Sequence, residues 1–239
     1  MTGMSGGFDR DGRLLESLAE HLKLPLVQVA RTAELAKAVK NPEKHLETIE
    51  LTADTTLRLL DSYLLGARMA LEPESATLEP VAVSAVLADA AHQLSKLANL
   101  YQCELEVHLS GRYEPVIAHR ASLQAALISL GYVFIEAQSV SETKQRAVIK
   151  LAAHRGKNGI VAGLFTNTEG ISSDMFRRAQ RLYGNANQIM PSLTAGSGVG
   201  IYIADLLLAT MSAKLRPSKH QKLSGLAATL TPSQQLQLV

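Results

Sequence analysis

From Leu15 onward, apolar residues recur at Leu15, Ala19, Leu22, Leu26, Val29, Ala33 and Ala36. The intervals alternate between four and three residues, the period of a helix that buries one stripe against a partner helix. Asn41-Pro42 then predicts a capping residue followed by a proline in the first turn of a new helix. A second stripe runs through Leu46, Ile49, Ala53, Thr56, Leu60, Tyr63 and Ala67 and stops before Glu72-Pro73. The link between them is short, so the two helices are expected to lie as antiparallel neighbours. Each also carries apolar residues off its stripe: Leu14, Leu18 and Leu35 on the first, Leu51, Leu57, Leu59, Leu64 and Leu65 on the second. A lone hairpin cannot bury both faces. Self-association into a four-helix bundle covers them, at about 1.5–3 kcal/mol for each large side chain fully buried. The alternative is that the hairpin packs on the rest of its own chain.

The pattern changes after residue 71. Residues 72–80 (EPESATLEP) read as a linker rich in proline and glutamate, which places a domain boundary there. Beyond it, 84–100 reads as a helix, and the alternation in 103–109 (CELEVHL) as a strand. Residues 120–138 read as an apolar helix. Two strands, 147–153 and 160–165, flank a turn over 154–159. A short helix is expected over 174–183, a glycine-rich turn leading into a helix over 196–214, and a last strand over 223–230. Helices interspersed with hairpin-linked strands predict an α+β sandwich.

Composition narrows the chemistry. The chain has 239 residues, 46% of them hydrophobic and 19% charged, enough for a packed core. Aromatics make up only 4% and Trp is absent, which argues against a stacking surface for single-stranded nucleic acid. The net charge is +2 without a clustered basic stripe, so no nucleic-acid partner is expected. One cysteine, Cys103, excludes an intrachain disulfide framework and a multi-cysteine zinc site, and reads as a core thiol. The longest apolar stretch, 118–138, is interrupted by Arg120, Gln124 and Glu136, and residues 1–12 contain no apolar signal core. These features predict a cytoplasmic chain without membrane insertion. His45, His92, His108, His119, His154 and His220 show no metal-ligand spacing, so no metal site is expected from them. Neither a GxSxG motif nor a P-loop occurs.

Over nearly the whole chain, the order of elements and several residue runs resemble the sensor histidine kinases. In that family a helical hairpin dimerises and carries the phosphorylated histidine, and a GHKL-type ATPase domain follows. The family's first-helix motif, Ser-His-Glu-Leu-Arg-Thr-Pro-Leu, aligns without a gap on Ala19-Glu20-His21-Leu22-Lys23-Leu24-Pro25-Leu26. Residues 45–69 look like the second bundle helix, 78–127 like the start of the ATPase domain, and 196–203 (GSGVGIYI) like its last glycine-rich motif. The resemblance divides the chain into a flexible N-terminus (1–12), a dimerisation and histidine-phosphotransfer-like hairpin (13–71), a linker (72–80) and a degenerate ATPase-like domain (81–239). It implies a homodimer that meets a response-regulator receiver domain or another histidine kinase, with ATP and Mg2+ as the family's cofactors.

Departures from the motifs redirect the functional expectation. Glu20 occupies the phosphoacceptor position and His21 the acidic position after it, so the usual order is reversed. His21 is the candidate acceptor, with Glu20 beside it, but adjacent helical residues point about 100° apart and cannot pair. Pro25 removes the hydrogen bond to the His21 carbonyl and predicts a kink. The magnesium-holding asparagine of the family is matched by Val133, with Glu136 one turn further on. The aspartate that grips adenine is matched by Thr166 in the run Thr166-Asn167-Thr168-Glu169-Gly170-Ile171. No Asn lies between Asn99 and Asn158, and no Asp between Asp89 and Asp174, so a small slip in alignment restores neither. Gly196, Gly198 and Gly200, together with Thr166, Asn167 and Gly170, then line a degraded nucleotide pocket. A glycine-rich helix start can still offer N–H groups to an anion. The reading is a phosphotransfer or docking adaptor with weak or absent autokinase activity. Two alternatives stand beside it: an active soluble histidine kinase that autophosphorylates His21, and a non-catalytic dimerisation scaffold.

Overall fold

The computed structural model describes residues 5–139, 147–167 and 197–233. Two long helices, α1 (Ser5–Ala38) and α2 (Glu43–Leu71), form the hairpin, with Pro25 inside α1. Helix α1 starts at Ser5, within the segment 1–12 that the sequence suggests is flexible. Pro42, not Asn41, takes the cap position of α2, and no side chain caps it. Its carbonyl instead accepts the N–H groups of His45 and Leu46 at 2.9 Å.

After a short turn over Pro73–Ser75 come β1 (Glu79–Val81), α3 (Val83–Leu100), β2 (Glu104–Leu109), β3 (Val116–Ala118) and α4 (Arg120–Ser139). Strands β4 (Val148–Gly156) and β5 (Gly159–Thr166) follow, then α5 (Ser197–Ala209), β6 (Leu215–His220) and β7 (Leu223–Leu230). The helix expected over 174–183 lies outside the described residues. A five-stranded sheet has the order β2-β4-β5-β7-β6, with β2 parallel to β4 and the other pairs antiparallel. β1 and β3 form a separate antiparallel pair. These two strands are three residues long, too short to show alternation in the sequence. β6 also escapes sequence reading, because it contains Pro217; it is an edge strand, where a missing N–H is tolerated.

The molecule has three layers: the sheet, then α3, α4 and α5 on its inner face, then the hairpin. Helix α4 is central. Leu123, Ala126, Leu127, Leu130, Val133, Phe134 and Ile135 are all buried. A helix that is apolar all round must be covered all round, and α4 is covered by α3, α5, the sheet and α2. His119 caps its start, its Nδ1 accepting the Ser122 N–H at 3.3 Å.

The hairpin does not stand alone. Thr52, Thr56, Leu59, Ser62, Tyr63, Gly66 and Met69 of α2 are buried. Leu59, Tyr63 and Met69 join one hydrophobic core with Val86, Val133 and Ile203. One apolar face of α2 is therefore covered by the same chain, and Gly66 lies against Ile203 and Leu206 of α5. The other face is open. Leu57, Leu60, Leu64 and Leu71 are exposed along α2, as are Leu26 and Leu35 on α1. Of the two stripes read from the sequence, Thr56 and Tyr63 are buried while Leu26, Leu46 and Leu60 face outward in the single chain.

Sheet curvature depends on two glycines of the outer face. A Cβ at Gly163 would collide with the Leu226 carbonyl, and one at Gly225 with the Leu164 carbonyl. Neither clash can be relieved by a side-chain rotation, because the obstructing atoms are backbone. Gly225→Ala is expected to lower stability by about 3 kcal/mol, read as a fall in the midpoint of urea unfolding. An unchanged midpoint would show that the strands can flatten at no cost.

Candidate functional site

The residues singled out by the sequence fall in two places. Glu20 and His21 lie on α1, one turn before Pro25. Their side chains lie outside the described residues. Pro25 itself, with Gln28, lines a cavity of about 80 Å³ where the hairpin meets α3 and α4; Thr55, Tyr101, Tyr132 and Glu136 line it from the other elements. The Tyr101 hydroxyl faces Gln28 and the Tyr132 hydroxyl faces Thr55. Burial pushes the Glu136 carboxyl above the usual carboxylate range. Burial also raises the Tyr101 hydroxyl, with the Glu136 charge adding to it. Glu136 is therefore turned toward the hairpin. It does not join Val133 as a stand-in metal ligand.

The second place is where α4, α5 and the end of β5 converge. Gly196 and Gly170 lie outside the described residues. Gly198 falls in the first turn of α5, and Gly200 packs directly on α4. A Cβ at Gly200 would stand 2.6 Å from Val133 Cγ2 and 3.2 Å from the Ser129 carbonyl oxygen. The glycine thus serves close helix–helix packing. Val133 is fully buried. One turn earlier, the buried Ser129 hydroxyl has no hydrogen-bond partner among the described residues. Thr166 ends β5, buried, paired with Ile149 on one side and Ser224 on the other. Asn167 is exposed, and its Oδ1 accepts the Val148 N–H at 3.1 Å. That bond ties the end of β5 to the start of β4 and occupies the amide oxygen that a base would otherwise meet.

Among the described residues, this set does not fit a magnesium-bound nucleotide. The matched metal position presents two methyl groups pressed against a helix, with no oxygen to replace a water of Mg2+. The matched adenine position has lost its carboxylate, and a charge-assisted bond is worth about 1.5–3 kcal/mol.

Sequence spacing gave no reason to associate His108, His154 and His220, yet the fold brings their rings together on the outer face of the sheet. No local signal could have shown this. They sit on three different strands, with His108 and His220 112 positions apart. Among the described residues, no group of His, Cys, Asp or Glu is arranged to hold a metal ion, and no helix is long and apolar enough to cross a membrane.

A helical hairpin joined to an α+β domain with a mixed sheet is a histidine kinase-like architecture, and comparison with solved structures agrees. The chain superposes on the histidine kinase AdeS of Acinetobacter baumannii with a TM-score of 0.55 at 12% identity, covering 89% of this chain and 97% of that one. It also superposes on a bacterial phosphotransferase with a TM-score of 0.50 at 13% identity, covering 95% and 98%. At such identities the shared property is the fold. No protein-family model and no curated protein matches the chain.

The Gly200 contact can be tested by a double-mutant cycle. Gly200→Ala is expected to cost about 1–3 kcal/mol in the native background and markedly less in Val133→Ala, where the opposing methyl groups are gone. Denaturant unfolding of the four proteins gives the coupling, expected at about 1 kcal/mol or more. Additive costs would mean that the two residues do not press on one another.

Proposed function

We propose that this protein is a two-component signalling adaptor, histidine kinase-like in fold, that takes phosphoryl groups at His21 and has given up ATP-dependent autokinase activity. The observation that supports the reading is the contact of Val133 with Gly200, Val133 being the residue that the motif alignment matches to the family's magnesium-holding asparagine. Phosphoryl transfer from ATP leaves charge on the equatorial oxygens that needs a cation to offset it. A valine buried against a glycine supplies none.

The donor in this reading is the aspartyl phosphate of a receiver domain. The phosphorus–oxygen bond of the acyl phosphate breaks, a phosphorus–nitrogen bond forms at His21, and the aspartate leaves as its carboxylate. Such a transfer uses the donor's own metal and needs only an accessible neutral imidazole on the hairpin. The function also fits a homodimer. Leu57, Leu60, Leu64 and Leu71 repeat at helical spacing on α2 and are exposed, Leu57 at 59% and Leu64 at 57%. They form the seam through which two hairpins become a four-helix bundle. The chain's own second domain covers the opposite face of α2 and leaves this one free.

Calorimetric titration with ATP and Mg2+ is expected to show no saturable heat up to about 1 mM nucleotide, the range of a dissociation constant worth only about 4 kcal/mol. A phosphorylated receiver domain is expected to label the protein with acid-labile phosphate, and His21→Ala to abolish the label. Labelling from ATP that depends on His21 would establish an active kinase instead. No label from either donor would leave a dimerisation scaffold.

The dimer is tested separately. Light scattering should give twice the chain mass for the native protein. It should give one chain mass for the double change Leu57→Glu and Leu64→Glu, with helical circular dichroism retained. A native monomer at micromolar concentration would remove the seam.

A further inference from the structure

On the outer face of the sheet, away from the helices, β2 and β6 are its two edges. In a flat sheet their side chains would be far apart. Here His108 Nδ1 of β2 lies 2.7 Å from His220 Nε2 of β6. The other ring nitrogen of His220, Nδ1, lies 3.2 Å from His154 Nδ1 of β4. The middle of this face is small: Ala152, Gly163, Gly225 and Ala227 stand on it, with Phe165 as its one large buried ring. The sheet curls over this row of small residues until its edges meet. His220 is buried against Phe165, their ring centroids 5.2 Å apart.

We propose that His108, His220 and His154 form a pH-sensitive clasp, which fastens the two edge strands of the sheet while the imidazoles are neutral and releases them when the trio takes up protons. A neutral imidazole has one N–H and one lone pair, so a row of three can pair each donor with an acceptor. His220, in the middle, donates from one nitrogen and accepts at the other. A second added proton sets N–H against N–H at one of the two contacts, whichever rings carry the charge.

The surroundings do not offset that charge. From β4 the Lys150 ammonium faces His220, and the Glu106 carboxylate of β2 is bound to Lys150 at 2.8 Å. From β5 and β7 the neighbours are Phe165 and Leu223, both apolar. Arg216, Lys219 and Lys222, on β6 and in the turn after it, add only positive charge. Ser110, at the end of β2, offers a hydroxyl 3.4 Å from His108 Nδ1. Burial lowers the affinity of both His154 and His220 for a proton, and for His220 the charges of His108, His154 and Lys150 lower it further.

The sign follows by linkage. The unfolded chain binds protons at these rings near the ordinary value of 6.5, before the folded chain does. Stability is therefore full above that pH and is lost as the pH falls below it. This mechanism is independent of phosphotransfer at His21, since the clasp lies on the far side of the sheet from the helices.

The test compares urea unfolding of the full chain at about pH 7.5 and about pH 5.5, for the native protein and for His220→Phe, which keeps an aromatic ring against Phe165 but cannot titrate. Acidification is expected to lower the native midpoint, and the variant to lose at least half of that fall. No fall in the native protein, or an equal fall in the variant, overturns the clasp. Should the variant fail to fold, NMR titration of the native imidazoles decides. His154 and His220 titrating below the ordinary value, with loss of the nuclear Overhauser contact between the His108 and His220 rings, supports the clasp. Independent titration at the ordinary value, with that contact kept, overturns it.

Discussion

Two-sided burial of helix α4 is the constraint on which the rest of this structure depends. A helix apolar on every face has no side to give to water. The sheet takes one side, α3 and α5 take the flanks, and the hairpin takes what remains. The hairpin is thereby fastened to the second domain through Leu59, Tyr63 and Met69, in one continuous core. The same requirement draws α5 against α4 until Gly200 meets Val133 without space for a methyl group.

This packing bears directly on the chemistry. A nucleotide pocket between two helices needs them held apart, with oxygen atoms turned into the gap. Here one facing residue is a buried valine and the other a glycine in contact with it. At the end of β5, Asn167 spends its amide oxygen on the β4 backbone. Glu136, the nearest carboxylate along α4, is committed to the junction with the hairpin, near Pro25 and Tyr101. That junction places the proline-bearing turn of α1, one turn from His21, in contact with the second domain.

The two faces of α2 have different owners. Its row of Thr52, Thr56, Leu59 and Tyr63 belongs to the chain's own core. The leucine row through Leu57, Leu60 and Leu64 is exposed in the single chain. Both rows repeat at heptad spacing. The helix circumference thus carries two separate rows, one packed within the chain and one exposed.

Much of the architecture was legible in the residues alone. Helices α1 to α4 announce themselves through period and apolar content, which are local properties, and the β4–β5 hairpin through its Gly-flanked turn. The absence of Asp and Asn at the nucleotide positions is likewise plain from the order of residues. Tertiary structure decided what local pattern does not encode. It settled which stripe of α2 meets the second domain, since both stripes look alike in sequence. It turned Glu136 toward the hairpin and Val133 toward Gly200, although the two stand three residues apart on one helix. It paired β1 with β3, strands too short to declare themselves. It also joined His108 to His220, 112 positions apart, because the meeting of two edge strands is set by the whole sheet and leaves no mark on the pattern around either histidine.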